Sequence, residues 1–421
     1  MACSSSTDLA KKLCLDESLW ANCGQWIKNA RLSAAKRVEG QGLPKRRDEY
    51  WNYTRPDAFL QKELDFDVVS NQSFDIFSNN LSTVINYEDG VLKEKLLPVI
   101  SGCSIESLQD AAKLDDHWAG AVYGVPEAAG QDPVKRSLAA LNTATASQGL
   151  LLLVSGKVKN PIKISAVSNG SIDSTIHHIV KVEAGAEVTL IETGQYGARA
   201  NVVLEVEVEK NGSFHHIRVQ DGQQHNSLTH IFGRLGPNST FKSFTLSVGG
   251  TITRNECILE LVGDTSSATV AGACIGDDKF HHDDTVFVTH GAPNCESRQV
   301  FKKVLRDGAV GVFQGKILVK EGAQKTDGYQ ISQSLLLDDN CQFLAKPELE
   351  IYADDVVCSH GSTSGAIDEE ALFYLRSRGV PKTKAIDLLT LSFIAESIEE
   401  VENSELADAL LRYLTAFLEV R

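Results

Sequence analysis

The sequence predicts a mainly β protein: a long body of short stacked strands, with helical stretches before and after it. Three observations carry that reading. Segments rich in Val, Ile, Thr and Phe recur, among them 176–182, 187–192, 202–208, 214–219, 241–248 and 258–261. Turn signals at Gly185, Gly212, Pro237-Asn238, Gly263 and Gly291 punctuate them at separations of 27, 25, 26 and 28 residues. Helical periodicity is nearly absent between about 135 and 355, and reads clearly only over about 7–40 and in the last 55 residues. A two-sheet sandwich also gives regular short strands. The length of the strand region and its lack of helices favour a solenoid, in which each coil buries its inner face against its neighbours.

The elements follow in order. Residues 7–40 read as helix, with Leu9, Leu13, Leu19, Ile27 and Leu32 on an apolar stripe and Trp20 and Trp26 adding bulk. Gly40, Gly42 and Pro44 interrupt it. The rest of an N-terminal region over 1–134 is mixed, and the strand body is placed over 135–355. A helical C-terminal domain follows over 356–421. There Asp368-Glu369-Glu370 supplies negative charge at a helix start, and Gly379 suits a left-handed end. Pro381 then suits a restart. Ile386, Leu389, Phe393, Ile394, Ile398 and Val401 form one stripe, and Leu406, Leu410, Leu414 and Phe417 another, with Asn403 or Ser404 as cap between them. These stripes either fill a core or offer part of their surface to a partner.

Composition removes several function classes. The 421 residues carry 41 Lys plus Arg against 56 Asp plus Glu, a net charge of -15. No basic footprint for nucleic acid stands out, since Lys45-Arg46-Arg47 runs straight into Asp48-Glu49. No apolar run approaches the roughly 18 residues of a membrane span, and the first residues do not read as a secretory signal. A cytoplasmic protein is expected. The nine cysteines are widely spaced and contain no Cys-x-x-Cys pair, which disfavours a self-contained zinc or cluster cage. Most read as small buried hydrophobes.

Candidate chemistry lies in histidines and one thiol. His177-His178, His215-His216 and His281-His282 are doublets, so in a strand each offers only one ring to a given face. Buried hydrogen-bonded histidines are the expectation at each, ahead of a column of rings for metal or protons. His281-His282-Asp283-Asp284 has metal-like composition; surface ligands, a solvated acidic turn and a partly buried network all fit it, the turn foremost. In Cys358-Ser359-His360-Gly361, thiol and imidazole share one face if the chain is extended. Both suit iron, yet two ligands cannot enclose a metal or cluster. A buried thiol beside a turn histidine fits the local pattern equally. The pair has no orienting residue or oxyanion hole for nucleophilic catalysis. There is no Gly-x-x-x-x-Gly-Lys-Ser/Thr phosphate loop and no Gly-x-Gly-x-x-Gly nucleotide fingerprint, so no bound nucleotide is expected.

Longer motifs carry a resemblance. Gly42-Leu43-Pro44-Lys45-Arg46-Arg47-Asp48-Glu49-Tyr50-Trp51-Asn52-Tyr53-Thr54, the run from His290 to Gln299, Gly311-Val312-Phe313-Gln314-Gly315-Lys316-Ile317, and Gly322 to Asp327 occur in order. So do the block from Lys346 to Gly361 and the helix from Asp368 to Gly379. The chain thus resembles the SufD family of the SUF iron–sulfur assembly system over almost its full length, least between about 55 and 135. The resemblance implies a right-handed parallel β-helix flanked by N-terminal and C-terminal helical domains, acting as a non-enzymatic scaffold. It implies a SufB-like scaffold subunit as partner and a SufC-like ABC ATPase on the C-terminal helices. Sulfur would arrive indirectly from a cysteine desulfurase, and a transient iron–sulfur cluster would form at the SufB boundary. His360 matches the family's interface histidine and is the first expected ligand, with Cys358 second. Cys295 matches a motif cysteine with a packing role. The stretch Asp339-Asn340-Cys341-Gln342 departs modestly from the pattern and leaves its turn open. Plastid stroma replaces cytoplasm if the source is a plant or alga. The related SufB scaffold is the runner-up. A β-helix polysaccharide hydrolase or lyase, or a scaffold that never meets iron, are the remaining alternatives.

Overall fold

The computed structural model describes residues 22–60, 76–77, 82–170, 173–222, 225–278 and 280–420. Expected helical residues before 22, with Cys3 and Cys14, lie outside the described residues. The body is a parallel β-solenoid of two sheets. One sheet has ten strands, running from Val91–Leu92 and Thr83–Glu88 at one end to Thr326–Leu336 and Val356–Gly365 at the other. The second has nine, from Cys103–Ser107 to Val310–Val319 and Gln342–Ile351. The chain alternates between the sheets, so neighbours within a sheet lie one coil apart, as Thr240↔Ser267↔Glu296 illustrates. The only antiparallel pairs among the described strands are the two short ones at the first end. The strand body reaches past both predicted limits, and its last strand, Val356–Gly365, carries the residues placed at the start of the helical domain.

The corners explain the spacing. At one corner of successive coils, Asn211, Asn238, Thr265, Asn294 and Lys325 all have positive φ, between 53° and 61°. Each sits one coil above the last. Their backbone N–H groups step upward too: Asn211 donates to the Pro237 carbonyl, Asn238 to Asp264, Thr265 to Pro293 and Asn294 to Gln324, at 2.9–3.1 Å. A tight turn needs one left-handed residue, and asparagine tolerates that conformation better than most. The predicted turn signals at 185, 212, 237, 263 and 291 fall in these connections.

Strand alternation divides side chains between a lumen and two outer faces. The lumen near the left-handed corner is apolar, packed with residues such as Leu204, Val206, Phe214, Phe241, Leu259 and Phe313. The outer face of the second sheet is covered by the helices Gln25–Gln41 and Ser137–Thr145 and by the Gly42–Phe59 strap. The outer face of the first sheet receives Lys382–Ile398 and Ser404–Val420. Ile394, Ile398, Leu406, Leu410 and Leu414 pack there on Ile217, Phe244, Leu246 and Val300. The two predicted stripes therefore serve mainly as core. Asn403 caps the last helix by accepting from the Leu406 N–H at 3.1 Å. Asp368 caps the helix Glu369–Ser377, which ends at Gly379 with φ 88°. That helix buries no residue, and its Phe373 and Tyr374 are exposed.

Candidate functional site

The histidine doublets divide as strand geometry requires. His177 points outward, where Nε2 meets Glu205 at 2.9 Å and the ring stacks on Tyr123. His178 points into the lumen, 3.0 Å from the Tyr196 hydroxyl, and burial lowers its pKa to about 4. His216 also lies in the lumen, and shares Glu192 with Arg218 at 2.9 and 2.8 Å. Burial raises the Glu192 pKa, but Arg218 and His216 outweigh that and hold the carboxyl well below the ordinary range. No column of rings forms: His178 and His282 stand on one sheet and His216 on the other.

The segment His281-His282-Asp283-Asp284 corrects the expectation of a solvated turn. It opens the strand His281–His290, and both aspartates are buried. Each carboxylate faces its own cation on its own side. Asp283 meets Arg254 beneath the strap and accepts from Thr54 at 2.5 Å. Asp284 meets Lys303 in the lumen at 2.5 Å, and Lys303 also contacts His282 Nδ1 at 2.7 Å. Pairing makes a buried charge tolerable, and here it keeps two adjacent acids inside a strand. Sequence reasoning missed these ion pairs. The signal was present in Lys302-Lys303, where successive cations also go to opposite faces, Lys302 outward to Glu396 and Lys303 inward.

Cys358 and His360 lie together on the lumen side of the last strand. Register pairs Cys358 with Gly328 and His360 with Gln330, and two-residue spacing along a strand separates their Cα atoms by about 6.6 Å. Gly328 makes the room: a Cβ there would stand 3.2 Å from the Cys358 sulfur. The thiol is half-buried beside Ile317, Leu349 and Ala353. Burial raises its pKa and Asp327 adds to this, against a backbone hydrogen bond from Gly328. It is therefore a thiol at neutral pH until a cation or partner displaces the proton. His360 is exposed and makes no side-chain hydrogen bond or ion pair among the described residues. Further along, Ser362 and Ser364 are tied to Ser332 and Ser334 at 3.1 and 2.9 Å. Cys295, by contrast, is buried and donates to the Gly263 carbonyl at 3.3 Å, a packing contact.

The site stands at an open end. Gln342–Ile351 and Val356–Gly365 each pair on one side only, leaving the other edge bare. Pro347, which lacks an N–H, sits in the first of these, as suits an edge strand. Ile351, Tyr352 and Val357 are exposed around this rim. No group of three or more His, Cys, Asp or Glu side chains that could hold a metal ion occurs among the described residues. Cys358 and His360 can thus give iron one soft and one borderline ligand and leave the remaining positions to another molecule.

Comparison with known proteins agrees with this architecture. The family described as "SUF system FeS cluster assembly, SufBD core domain" matches residues 166–393, and "SufBD protein N-terminal region" matches 15–164. The iron–sulfur cluster assembly protein SufD of Escherichia coli is 28% identical over 389 residues, 88% of each chain. SufD of Bacillus subtilis is 25% identical over 407 residues, 89% of this chain and 90% of that relative. The chloroplastic protein ABCI7 of Arabidopsis thaliana is 31% identical over 283 residues, 62% of this chain and 58% of that relative. Among the described residues no helix is long and apolar enough to cross a membrane. This parallel β-solenoid, matched along nearly its whole length by these two regions, belongs to the SufBD family of iron–sulfur cluster assembly proteins.

Proposed function

We propose that this chain is a non-catalytic scaffold that pairs end-on with a SufB-like subunit, and that a nascent iron–sulfur cluster is held between them as cargo. One observation carries the reading: Cys358 and His360 face the lumen side by side at the bare end of the solenoid, with too few ligands of their own. The neighbouring subunit completes the cage, and its strands meet the unpaired edges of the last coil. The helix Glu369–Ser377, which presents Phe373 and Tyr374 to solvent, receives a SufC-like ABC ATPase. Nucleotide binds to that partner, and sulfur reaches the pair from a cysteine desulfurase. Closure of two ATPase subunits moves the docked helices, and the rigid solenoid transmits the motion to the shared end. Names of relatives from E. coli and a chloroplast suit a bacterial cytoplasm or a plastid stroma.

Co-expression with SufB-like and SufC-like partners, anaerobic purification and cluster reconstitution test this. His360→Ala is expected to leave the complex intact while lowering iron content and cluster transfer. Unchanged loading and transfer in an intact complex would remove the ligand role. Failure of the wild-type chain to bind either partner, or cleavage of a polysaccharide by the chain alone, would overturn the scaffold reading.

A further inference from the structure

His360 has a neighbour that packing does not explain. Gln330 is its register partner on the adjacent strand, on the same lumen face, and Gln299 is the next residue in that file. Both glutamines are 0% exposed. Neither the oxygen nor the nitrogen of either amide meets a hydrogen-bond partner among the described residues. Buried amides elsewhere in the lumen behave differently: Gln220 and Asn255 bond each other and Ser247, Thr229 and Asp284. Leucine would fill the Gln330 position without leaving a polar group dry.

The opposite sheet is also shaped around Gln330. Gly315 faces it across the lumen, and a Cβ on Gly315 would stand 1.8 Å from the Gln330 amide nitrogen. Gly315 has no positive φ to require glycine, so the absent side chain serves space alone. Two positions, on two sheets, are committed to an amide that the fold leaves without a partner. Its own residue is the register neighbour of His360, the imidazole at the open end.

We propose that Gln330 is a positioning residue for His360. Its Oε1 accepts the N–H of the His360 ring, directly or through one water, with Gln299 supporting the amide from behind. A neutral carboxamide in this role fixes one tautomer without adding charge, and leaves the other ring nitrogen's lone pair directed at an incoming metal ion. A carboxylate there would raise the ring's pKa and favour the protonated form, which cannot ligate. This rests on the reading of His360 as a ligand, and it extends that reading to the residue that aims it.

The full chain labelled with 15N-histidine allows a test without iron. Long-range 1H–15N correlation reads the tautomer of each ring, and His360→Asn identifies the His360 signals. Gln330→Leu is expected to change the His360 tautomer ratio about fivefold, the factor set by one neutral hydrogen bond. Gly315→Ala should reproduce that change by displacing the amide while keeping the glutamine. Gln330→Met, flexible and close in length, serves if the leucine variant does not fold. An unchanged His360 tautomer ratio in folded Gln330→Leu or Gln330→Met overturns the proposal, whatever the iron loading of the complex. A shifted ratio supports it even if His360→Ala loads iron normally, in which case only the ligand role falls.

Discussion

Replacing Asp221 with asparagine should make this protein more stable, and by an amount that depends on pH. Asp221 is the penultimate residue of the strand Ser213–Gly222 and is buried under the last helix, where the Tyr413 hydroxyl donates to it at 3.4 Å. Burial raises its pKa from 3.8 to about 6, despite opposition from its own backbone N–H, Tyr413 and Lys163. Between those values the folded chain holds a proton that the unfolded chain has released. Stability therefore falls as pH rises through this window, and the whole penalty is present above pH 6. At 1.36 kcal/mol per pKa unit the penalty is about 3 kcal/mol at pH 7.5 and roughly half of that at pH 5. Asparagine keeps the shape and an oxygen for Tyr413 but has no charge to bury. Urea-unfolding free energies of both proteins across this range are the measurement. Asp221→Asn should gain about 3 kcal/mol at pH 7.5 and roughly half of that at pH 5. An advantage that is flat with pH, or a less stable variant at pH 7.5, would refute the argument.

Two other outcomes are expected. Arg218→Met leaves the buried Glu192 with His216, His178 and the Tyr196 hydroxyl beside it but no permanent cation, and should cost about 3–5 kcal/mol in the same unfolding assay. Phe373→Glu with Tyr374→Ser changes an exposed helix face on which the Tyr374 ring meets the Arg378 guanidinium, so unfolding free energy should stay within about 1 kcal/mol; co-purification with a SufC-like ATPase should be lost.

The strand body was legible because its corners repeat: each coil needs a left-handed residue, and Asn, Gly and Pro mark those places in the sequence. The helical C-terminus was legible for a similar local reason, since Asp368, Gly379, Pro381 and Asn403 each act within one turn. The two faces of each strand were harder. Asp283 and Asp284 look like a polar turn until the cations that neutralise them, Arg254 and Lys303, are seen one coil earlier and on the opposite sheet. Pairing across a coil depends on register, which spacing constrains only to within a residue or two. The shared face of Cys358 and His360 followed from strand alternation alone. Gln330 did not stand out because an amide in a strand is unremarkable until its neighbours fail to bond it.

The solenoid's two ends are unlike. One finishes in short antiparallel strands, and the other exposes two full-length parallel edges. A stack with such edges at both ends would polymerise head to tail into a filament, each copy templating the next. With such edges at one end only, end-on association would stop after a single step. On the pairing proposed above, the complex would be limited to a closed couple, and whatever formed at the junction would be made once per couple.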